Sequence, residues 1–438
     1  TVSGANVLTN AASGVINSNV GSGGGRNIYA HVDNDGTVNI NKTTGLGKTG
    51  GVYTNNGTTT IASGKTLSFG SSSVFNQDSG LLAIAGTYFM SSNTLNFNGG
   101  VITGTPLLLH SALNLGAGST SPASFITRGS STLSGDVKSG QLITVQGSGS
   151  GTGTLTSASG YTNSGTITLQ SIDGGYTTNL TVSGANVLTN AASGVINSNV
   201  GSGGGRNIYA HVDNDGTVNF NKTTGLGKTS GVYTNNGTTT VASGKTLNFG
   251  NSSVFNQDGG LLAVAGTFFM SSDTLNFNGG TITGTPLLEH SALNLGAGST
   301  SPASFITRGS STLSGTVKSG QLITVQGSGT GGTGTLTSAS GYTNSGTITL
   351  QSIDGGYTTN LVVSSGTLTN AASGVINSNV GSGGGRNIYT HFECARISLA
   401  EGEAMNSLKP LVGTLRVKKS RPAKGGHQPE VSLARSRV

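Results

Sequence analysis

A short motif that recurs every 20 to 23 residues constrains this chain more than any other feature. In its clearest form, Tyr161-Thr162-Asn163-Ser164-Gly165 leads into the alternating run Thr166-Ile167-Thr168-Leu169. Earlier variants end in glycines that lie 22, 21, 23 and 20 residues apart, namely Gly14, Gly36, Gly57, Gly80 and Gly100. A strand, a turn and a fixed step of this size indicate one supersecondary unit that is stacked on itself.

A second, longer repeat contains the short one. Residues 1–150 match residues 181–330 with about 13 substitutions, and a third, partial copy spans 361–391, so the long period is 180 residues. At about 22 residues per unit, one period holds roughly eight units. Most substitutions between the copies are conservative. The exception, Leu109 to Glu289, predicts a position that is at least partly exposed.

Composition favours a thin core with many strands and many turns. The chain of 438 residues contains 75 glycines and no tryptophan, and only 8 % of its residues are charged. Thr, Val and Ile suit pleated backbone, whereas Gly and Asn suit turns. No window shows apolar residues at helical spacing. Because few residues carry charge and the apolar ones are spread evenly, neither a thick globular core nor a charged disordered chain is expected.

The net charge of +7 is concentrated at one end of the chain. Residues 1–391 carry 13 basic and 11 acidic residues, whereas residues 392–438 carry 9 and 4. The repeat region therefore lacks the basic stripe that tracks phosphates, and no specific nucleic-acid partner is expected for it. The single cysteine, Cys394, excludes disulfides within the chain. No run approaches the roughly 18 apolar residues of a membrane helix. The chain starts at Thr1 in mid-pattern, and we interpret it as a fragment of a longer protein.

The short step is too small for a βαβ unit, which needs about 30 residues. A coil of 20–23 residues can hold two or three short strands joined by tight corners. Coils stacked about 4.8 Å apart would pair strand on strand in parallel, and roughly 17 of them would span on the order of 80 Å. Apolar side chains would fill the interior, and corner asparagines could form ladders from coil to coil. The competing architecture is a string of antiparallel sandwich domains of about 90 residues.

Three segments carry a resemblance to a known group of proteins. They are Tyr53-Thr54-Asn55-Asn56-Gly57-Thr58-Thr59-Thr60, residues 95–104 and residues 161–169. In repeat style, residues 1–391 resemble the passenger regions of bacterial autotransporters and the filamentous-haemagglutinin-type large exoproteins. The resemblance implies a right-handed parallel β-helix, secretion to the bacterial cell surface and an adhesive or structural role. It implies no single activity.

One polar turn is the best candidate for a metal site. His31, Asp33 and Asp35 place an imidazole and two carboxylates close together, and the second copy repeats them as His211, Asp213 and Asp215. Asp-Asn-Asp-Gly resembles the start of a calcium loop, but the closing Glu of such a loop is absent. The alternative is a polar corner in which Asp and Asn bond their own backbone. We retain Asp33, Asp35, Asp213 and Asp215 as weak candidate ligands and expect no cofactor.

Two glycine-rich stretches have the composition of anion-binding loops. Gly45-Leu46-Gly47-Lys48-Thr49 ends like a phosphate-binding loop, but the required earlier glycine is Lys42 and no helix follows. The stretch from Gly21 to Arg26 also lacks a following helix, so a plain corner loop is expected there. Polysaccharide-cleaving enzymes need clustered carboxylates. The acids of this chain are mostly isolated, so no catalytic residue is expected.

The pattern changes abruptly at Phe392. Ser398–Leu408 predicts a short helix that Pro410 ends, and a basic, proline-containing segment follows. This tail, residues 392–438, is either a basic arm for an anionic partner or a translated frameshift joined to a truncated gene. In either case we expect it to be poorly ordered.

These observations lead to competing hypotheses about function. The first is a non-catalytic, surface-exposed or secreted stalk or adhesin fragment, which contacts a host cell, matrix or carbohydrate from the bacterial cell surface. The alternative is a carbohydrate-active β-helix enzyme of the lyase or hydrolase type. A third hypothesis assigns nucleic-acid binding to the basic tail. The domain organisation expected in each case is a solenoid over 1–391, with long repeats at 1–180, 181–360 and 361–391, followed by the tail.

Overall fold

The computed structural model describes residues 1–379, 381–394, 398–399 and 407–409. In these ranges every regular element is a β-strand, and no helix is present that could span a membrane. The chain divides into two compact units, unit 1 (Thr1–Gly227) and unit 2 (Lys228–Val438). The all-β prediction is therefore confirmed over the described residues.

All residues of unit 1 are described, and its strands are short. They are β1 (Val7–Asn10), β2 (Val15–Ser18), β3 (Arg26–Ile28), β4 (His31–Asn34), β5 (Thr37–Ile40), β6 (Thr44–Leu46), β7 (Val52–Asn55), β8 (Thr58–Ile61), β9 (Thr66–Phe69), β10 (Val74–Gln77), β11 (Leu81–Ile84), β12 (Thr87–Ser91), β13 (Thr94–Phe97), β14 (Val101–Thr103), β15 (Leu107–Leu109), β16 (Ala112–Leu115), β17 (Ala123–Arg128), β18 (Ser130–Ser134), β19 (Gln141–Gly147), β20 (Gly153–Ser157), β21 (Tyr161–Asn163), β22 (Thr166–Ser171), β23 (Thr178–Val182), β24 (Val187–Asn190), β25 (Val195–Ser198), β26 (Arg206–Tyr209), β27 (His211–Asn214), β28 (Thr217–Phe220) and β29 (Thr224–Leu226).

Unit 2 continues with strands of the same kind. Those described are β30 (Val232–Asn235), β31 (Thr238–Val241), β32 (Thr246–Phe249), β33 (Val254–Gln257), β34 (Leu261–Val264), β35 (Thr267–Ser271), β36 (Thr274–Phe277), β37 (Thr281–Thr283), β38 (Leu287–Glu289), β39 (Ala292–Leu295), β40 (Ala303–Arg308), β41 (Ser310–Ser314), β42 (Gln321–Gly327), β43 (Gly334–Ser338), β44 (Tyr342–Asn344), β45 (Thr347–Ser352), β46 (Thr359–Asn370), β47 (Val375–Ser378), β48 (Arg386–Cys394), β49 (Ser398–Leu399) and β50 (Ser407–Lys409).

Unit 1 winds as a parallel β-solenoid. Each strand pairs in parallel with the strand one coil away, as in Leu8 opposite Val32 and Val32 opposite Tyr53. Sheet I runs through the whole unit and contains β1, β4, β7, β10, β13, β16, β18, β20, β23, β26 and β29. These eleven coils span about 50 Å at about 4.8 Å per coil. The predicted parallel stacking is therefore confirmed, and the antiparallel sandwich alternative is wrong.

Three further sheets close the coils of unit 1. Sheet II contains β2, β5, β8, β11 and β14, and sheet III begins with β3, β6, β9, β12 and β15 and continues through β28. Sheet IV contains β21, β24 and β27. The chain visits sheets I, II and III in turn up to β14. From β20 onward it visits sheets I, IV and III, so sheet IV takes the place of sheet II in the winding order.

The long repeat does not correspond to a whole number of coils. Strands β24, β25 and β26 are the 180-residue copies of β1, β2 and β3. The originals lie on sheets I, II and III, whereas the copies lie on sheets IV, III and I. Eight coils separate β1 from β23 on sheet I, and β24 lies on the next face. One long repeat thus advances the chain by eight coils and one face.

The interior is apolar, as the sequence pattern predicts. Side chains alternate between buried and partly exposed along most strands, so each strand contributes one or two residues to a narrow core. Aromatic rings fill part of this core in unit 1. The ring centroids of Phe69 and Tyr88 are 5.0 Å apart, and Phe75 meets Tyr88 edge to face at 5.5 Å.

Asparagine ladders run through the stacked coils, as predicted. Inside unit 1, Nδ2 of Asn10 donates to Asn34 at 2.7 Å, Asn34 donates to Asn55 at 2.7 Å, and Asn55 donates to Gln77 at 2.9 Å. Each amide supplies the hydrogen-bond partner that water would otherwise provide to the next, so these polar side chains can be buried in the core. A second ladder, Asn76, Asn96 and Asn114, lies on the outside of sheet I with contacts of 2.7 Å.

Unit 2 repeats this architecture with parallel pairs throughout its described strands. One sheet joins β32, β35, β38, β40, β42, β45, β47 and β49; a second joins β31, β34 and β37; a third joins β30, β33, β36, β39, β41, β43, β46, β48 and β50. Strand β46 is long and also pairs with β44, and its register with β48 shifts between Val362 and Thr367.

The structure corrects the prediction for the start of the tail. Strand β48 continues to Cys394, so the coil pairing persists beyond Phe392. The helix predicted at Ser398–Leu408 is wrong at both of its ends, where β49 pairs with β47 and β50 pairs with β48. The edge of a stacked coil offers unpaired N–H and C=O groups, and these accept a strand whatever its sequence. Residues 395–397, 400–406 and 410–438 lie outside the described residues, and with them the whole basic segment and the prediction that the tail is poorly ordered.

Candidate binding groove

Residues at one corner of unit 1 adopt left-handed backbone conformations in successive coils. Ser72, Ser92 and His110 have φ angles of 56°, 57° and 48°, and Gly129 in the next coil has 58°. This region is costly for residues other than glycine, so its recurrence marks a sharp turn that every coil in the series must make. The turn projects the serine and histidine side chains away from the core.

A groove of about 380 Å³ follows this corner across the coils. Its lining is rich in hydroxyl groups, contributed by Ser72, Ser92, Thr94, Ser111, Ser130 and Thr132. Thr94, Ala112 and Thr132 are register partners on β13, β16 and β18, so the groove runs along the stacking direction. The remaining polar lining residues are Asn93 and His110.

His110 is fixed on the groove by two contacts. Its ring lies directly over Gly129, where any side chain would overlap the imidazole. Its Nδ1 atom accepts a hydrogen bond from the backbone N–H of Ser130 at 3.1 Å. The proton of the neutral ring is therefore on Nε2, which leaves Nε2 as the donor available to a bound molecule. The copy in unit 2 repeats the arrangement, with His290 accepting from Ser310 at 3.2 Å.

A buried polar ladder forms the floor of the groove. The N–H of Ser73 donates to Asn93 Oδ1 at 2.7 Å, and the N–H of Asn93 donates to Ser111 Oγ at 3.2 Å. Asn93 is only 4 % exposed, and its Nδ2 atom has no acceptor among the described residues. A buried donor without a partner costs about 1–3 kcal/mol. This orphan amide is the least satisfied group of the corner.

Unit 2 carries an aspartate in place of this asparagine. Asp273 Oδ1 accepts from the N–H of Ser253 at 2.8 Å, and its Oδ2 accepts from the N–H of Ser271 at 3.0 Å. Burial raises the pKa of the Asp273 carboxyl, and the two backbone donors oppose that shift only in part. The two copies therefore differ at this buried corner, which holds a neutral amide in unit 1 and a carboxyl group in unit 2.

The candidate metal ligands of the first copy lie close together but have separate roles. His31 and Asp33 project from β4, and Asp35 lies in the corner that follows. His31 Nδ1 accepts from the N–H of Val52 at 2.9 Å. Asp35 Oδ1 accepts from Asn56 Nδ2 at 3.0 Å. Both contacts reach residues 21 positions along the chain, in the next coil, and neither is the bond to the residue's own backbone that the polar-corner alternative predicts.

The second copy lies on a different sheet. Asp213 belongs to β27 of sheet IV, and Asp215 lies in the following corner, where its N–H donates to Asn190 O at 2.9 Å. Across the described residues, no group of three or more His, Cys, Asp or Glu side chains is placed to hold a metal ion. The four candidate aspartates are thus not assembled into one centre.

The glycine-rich loop of the second copy surrounds a buried cation. Arg206 is 0 % exposed, and its guanidinium donates to the carbonyl oxygens of Asn199, Gly203, Gly204 and Gly205 at 2.9–3.2 Å. Burial lowers the pKa of this guanidinium. In the first copy Arg26 is only half-buried and donates to Gly24 O at 2.8 Å. The arginine therefore closes its own loop, and these donors are not available to an outside anion.

The groove was not predicted from the sequence, although one signal was available. His110 and His290 recur at the same position of the long repeat, and Asn93 and Asp273 are a pair in which a neutral residue is replaced by an ionisable one. When one copy has a neutral residue and the other an ionisable residue at the same corner position, that position is a candidate for a functional difference between the copies. The left-handed turns that bring these residues together are visible only in three dimensions.

No known family model matches this sequence, and no curated protein is significantly similar to it. Any assignment of function must therefore start from the fold and the groove.

Proposed function

We propose that this chain is a non-catalytic adhesive or structural stalk, exposed on a bacterial surface or secreted, of the autotransporter-passenger kind. The observation that carries the proposal is the additive architecture. The strands of unit 1 pair in parallel with strands of neighbouring coils, and the repeated sequence forms the same strand pairs again, as β24 with β27 and β25 with β28 repeat β1 with β4 and β2 with β5. Such a scaffold becomes longer when coils are added, because each coil packs only on its neighbours and no new core is needed. This property suits a protein that extends from a surface better than it suits an enzyme.

The surface of unit 1 is consistent with contact rather than chemistry. Its corners carry hydroxyls, amides and isolated acids, and the Asp35 carboxylate accepts a hydrogen bond from the Asn56 amide. A retaining or inverting glycosidase would instead need two carboxyl groups that face one substrate. The partners we propose are host-cell or matrix components or carbohydrate. The proposed location is the bacterial cell surface or the extracellular medium.

The test is adhesion by the full chain. The chain is displayed on a non-adherent laboratory bacterium, and binding to cultured cells and to immobilised matrix is compared with display of an unrelated globular protein. We expect at least a several-fold gain in adherent bacteria. The purified chain is also incubated with a panel of polysaccharides, and new reducing ends are measured. Equal adhesion to the control, or cleavage that the variant Asp33→Asn/Asp35→Asn loses, would count against the proposal.

A further inference from the structure

We propose that the coil formed by β1, β2 and β3 is a docking edge for a strand-forming segment of a second polypeptide, which adds to the solenoid as one further coil. Residues 7–28 are called the edge coil below. Its strands pair on one side only, with β4, β5 and β6. Such an edge presents a row of unpaired N–H and C=O groups, to which an extended peptide can add a strand. This inference goes beyond the stalk function and does not depend on it.

An identical coil inside unit 1 shows which segment fits the edge. Residues 187–208 have the same sequence as the edge coil. They are covered by residues 161–182, the covering coil, in which β21 pairs with β24, β22 with β25 and β23 with β26. Three inward apolar residues are at most 1 % exposed under this cover and partly exposed in the edge coil, namely Leu188, Ile196 and Ile208 against Leu8, Ile16 and Ile28. A segment like the covering coil would therefore bury the apolar side chains that the edge coil exposes.

An asparagine is the most specific feature of the covering coil. Asn163 Nδ2 donates to Asn190 Oδ1 at 2.7 Å and to the carbonyl oxygen of Val195 at 3.2 Å. The counterpart of Asn190 is Asn10, where the inner ladder of the edge coil ends. Asn10 Nδ2 donates to Asn34, whereas its Oδ1 has no donor within unit 1. An asparagine of a docked segment would thus extend the amide ladder by one coil.

Backbone N–H groups define the remaining contacts of the edge. In the covered copy three of them donate to carbonyl oxygens of the covering coil at 2.8–2.9 Å, those of Ala191, Val195 and Asn199. Their counterparts in the edge coil, which have no acceptor within unit 1, are Ala11, Val15 and Asn19. These groups are spaced for a parallel segment with the turn of the covering coil, because the two copies share one sequence and one turn.

The glycine-rich loop also differs between the covered and the uncovered copy. The N–H of Ser202 donates to Ser171 O of the covering coil at 3.1 Å, and the loop encloses Arg206 completely. Arg26, at the same position of the edge coil, stays half-buried. We infer that a docked segment would close this loop around Arg26 as the covering coil closes it around Arg206.

Val2 marks where the docked segment ends. It is the counterpart of Val182 in β23, and its N–H donates to Tyr29 O at 2.9 Å beside β3. Thr1 and Val2 therefore already lie where the last two residues of the covering coil would lie. The segment that fits the rest of the edge corresponds to residues 161–180.

The experiment titrates the full chain by calorimetry with a synthetic peptide of residues 161–180. We expect saturable binding of one peptide to the edge coil, because the identical coil at 187–208 is already covered. The Asn163→Leu peptide keeps the apolar pattern but lacks the amide donor, and it should bind at least about tenfold more weakly. A peptide of the same composition in scrambled order should not bind.

A chain variant locates the contact. Val15→Pro removes one outward N–H, and an edge strand tolerates proline, so we expect a folded chain that binds the peptide at least about tenfold more weakly. Val15→Thr keeps the N–H and is the matched control, with unchanged affinity. Circular dichroism and thermal unfolding show whether both variants fold. In the parent, the amide hydrogens of Ala11 and Asn19 should exchange more slowly once the peptide is bound.

Several results would overturn the proposal. They are the absence of binding at millimolar peptide, equal binding of the scrambled or the Asn163→Leu peptide, and slower exchange confined to other coils. Sedimentation of the chain alone tests another occupant, since dimers that Val15→Pro disperses would assign the edge to a second copy of the chain instead. Adhesion of displayed bacteria is measured separately, so failure of peptide binding would leave the stalk function standing.

Discussion

Oδ1 of Asp273 accepts a hydrogen bond from the backbone N–H of Ser253 at 2.8 Å, inside a corner where the aspartate is only 4 % exposed. Asn93 makes the same contact with Ser73 at 2.7 Å through a neutral amide. The two copies thus present one buried corner with and without a titratable group, and the difference should appear in the pH dependence of stability.

The first prediction concerns Asp273→Asn. Burial raises the pKa of the folded Asp273 carboxyl above its usual 3.8. The protonated carboxyl therefore makes its full favourable contribution to the free energy of unfolding below about pH 4, and this contribution is lost as the pH rises through the folded pKa. A difference of one unit between the folded and unfolded pKa corresponds to about 1.4 kcal/mol. The free energy of unfolding of the parent should therefore fall relative to Asp273→Asn between pH 4 and pH 7. Urea titrations across this range measure it, and parallel curves would contradict the expectation.

A second prediction concerns the buried amide ladder. Asn34→Ala removes the acceptor of Asn10 and the donor to Asn55 in one change. Asn10 Nδ2 keeps the carbonyl oxygens of Gly14 and Thr37, and Asn55 Oδ1 keeps the Thr59 hydroxyl. Two buried hydrogen bonds are lost at about 0.5–1.5 kcal/mol each, and a small cavity is left, so we expect a loss of about 2–3 kcal/mol. The matched control is Asn96→Ala in the outer ladder, where water can replace the lost contacts and the cost should stay below about 1.5 kcal/mol. Equal losses in the two variants would show that burial of the ladder is irrelevant.

A third prediction compares two arginines of identical local sequence. Arg206→Ala leaves four loop carbonyls without their buried donor, and we expect a loss of about 3 kcal/mol or more. Arg26→Ala removes a half-exposed side chain that donates to Gly24, and about 1 kcal/mol or less is expected. Chemical unfolding monitored by circular dichroism gives both values. A larger cost at Arg26 would reverse our interpretation of the loop.

A fourth prediction separates backbone strain from close approach at two glycines. Gly80 and Gly64 have φ angles of 60° and 69°, so alanine at either position incurs a left-handed penalty of about 1–2 kcal/mol. A Cβ at Gly80 would also overlap the carbonyl oxygen of Gly57 in the neighbouring coil, whereas Gly64 faces open space. Gly80→Ala should therefore cost at least about 2 kcal/mol more than Gly64→Ala in the same unfolding assay.

The sequence predicts stacked coils but not the order in which the chain visits the sheets. A step of about 22 residues was enough to infer parallel stacking, inward apolar residues and amide ladders such as Asn10–Asn34–Asn55. It could not show that β24 leaves the face of β1, because some coils between them, such as those of β16 and β18, lack a strand of sheet II or IV. The sheet to which each strand belongs is known only from the strands with which it pairs. The strands of the tail were missed for a related reason, since backbone pairing at an edge depends little on side chains.

The site was harder to predict because its parts are distant in sequence. Ser72, Ser92 and His110 are about 20 residues apart and meet only through left-handed turns, which no side-chain pattern demanded. The acids at Asp33 and Asp35 were visible as a local cluster, but the structure places Asp33 in β4 and Asp35 in the corner that follows, where it accepts a hydrogen bond from Asn56. Buried Arg206 was unexpected because its partners are backbone carbonyls, and these carry no signature in the sequence.

The advance of eight coils and one face per long repeat changes what a tandem array displays. Within unit 1 the segment that forms β1, β2 and β3 recurs as β24, β25 and β26, and each copied strand lies on a different sheet from its original. The same side chains of this segment are therefore presented toward two different sides of the solenoid, and a partner that recognises them can be met from either side.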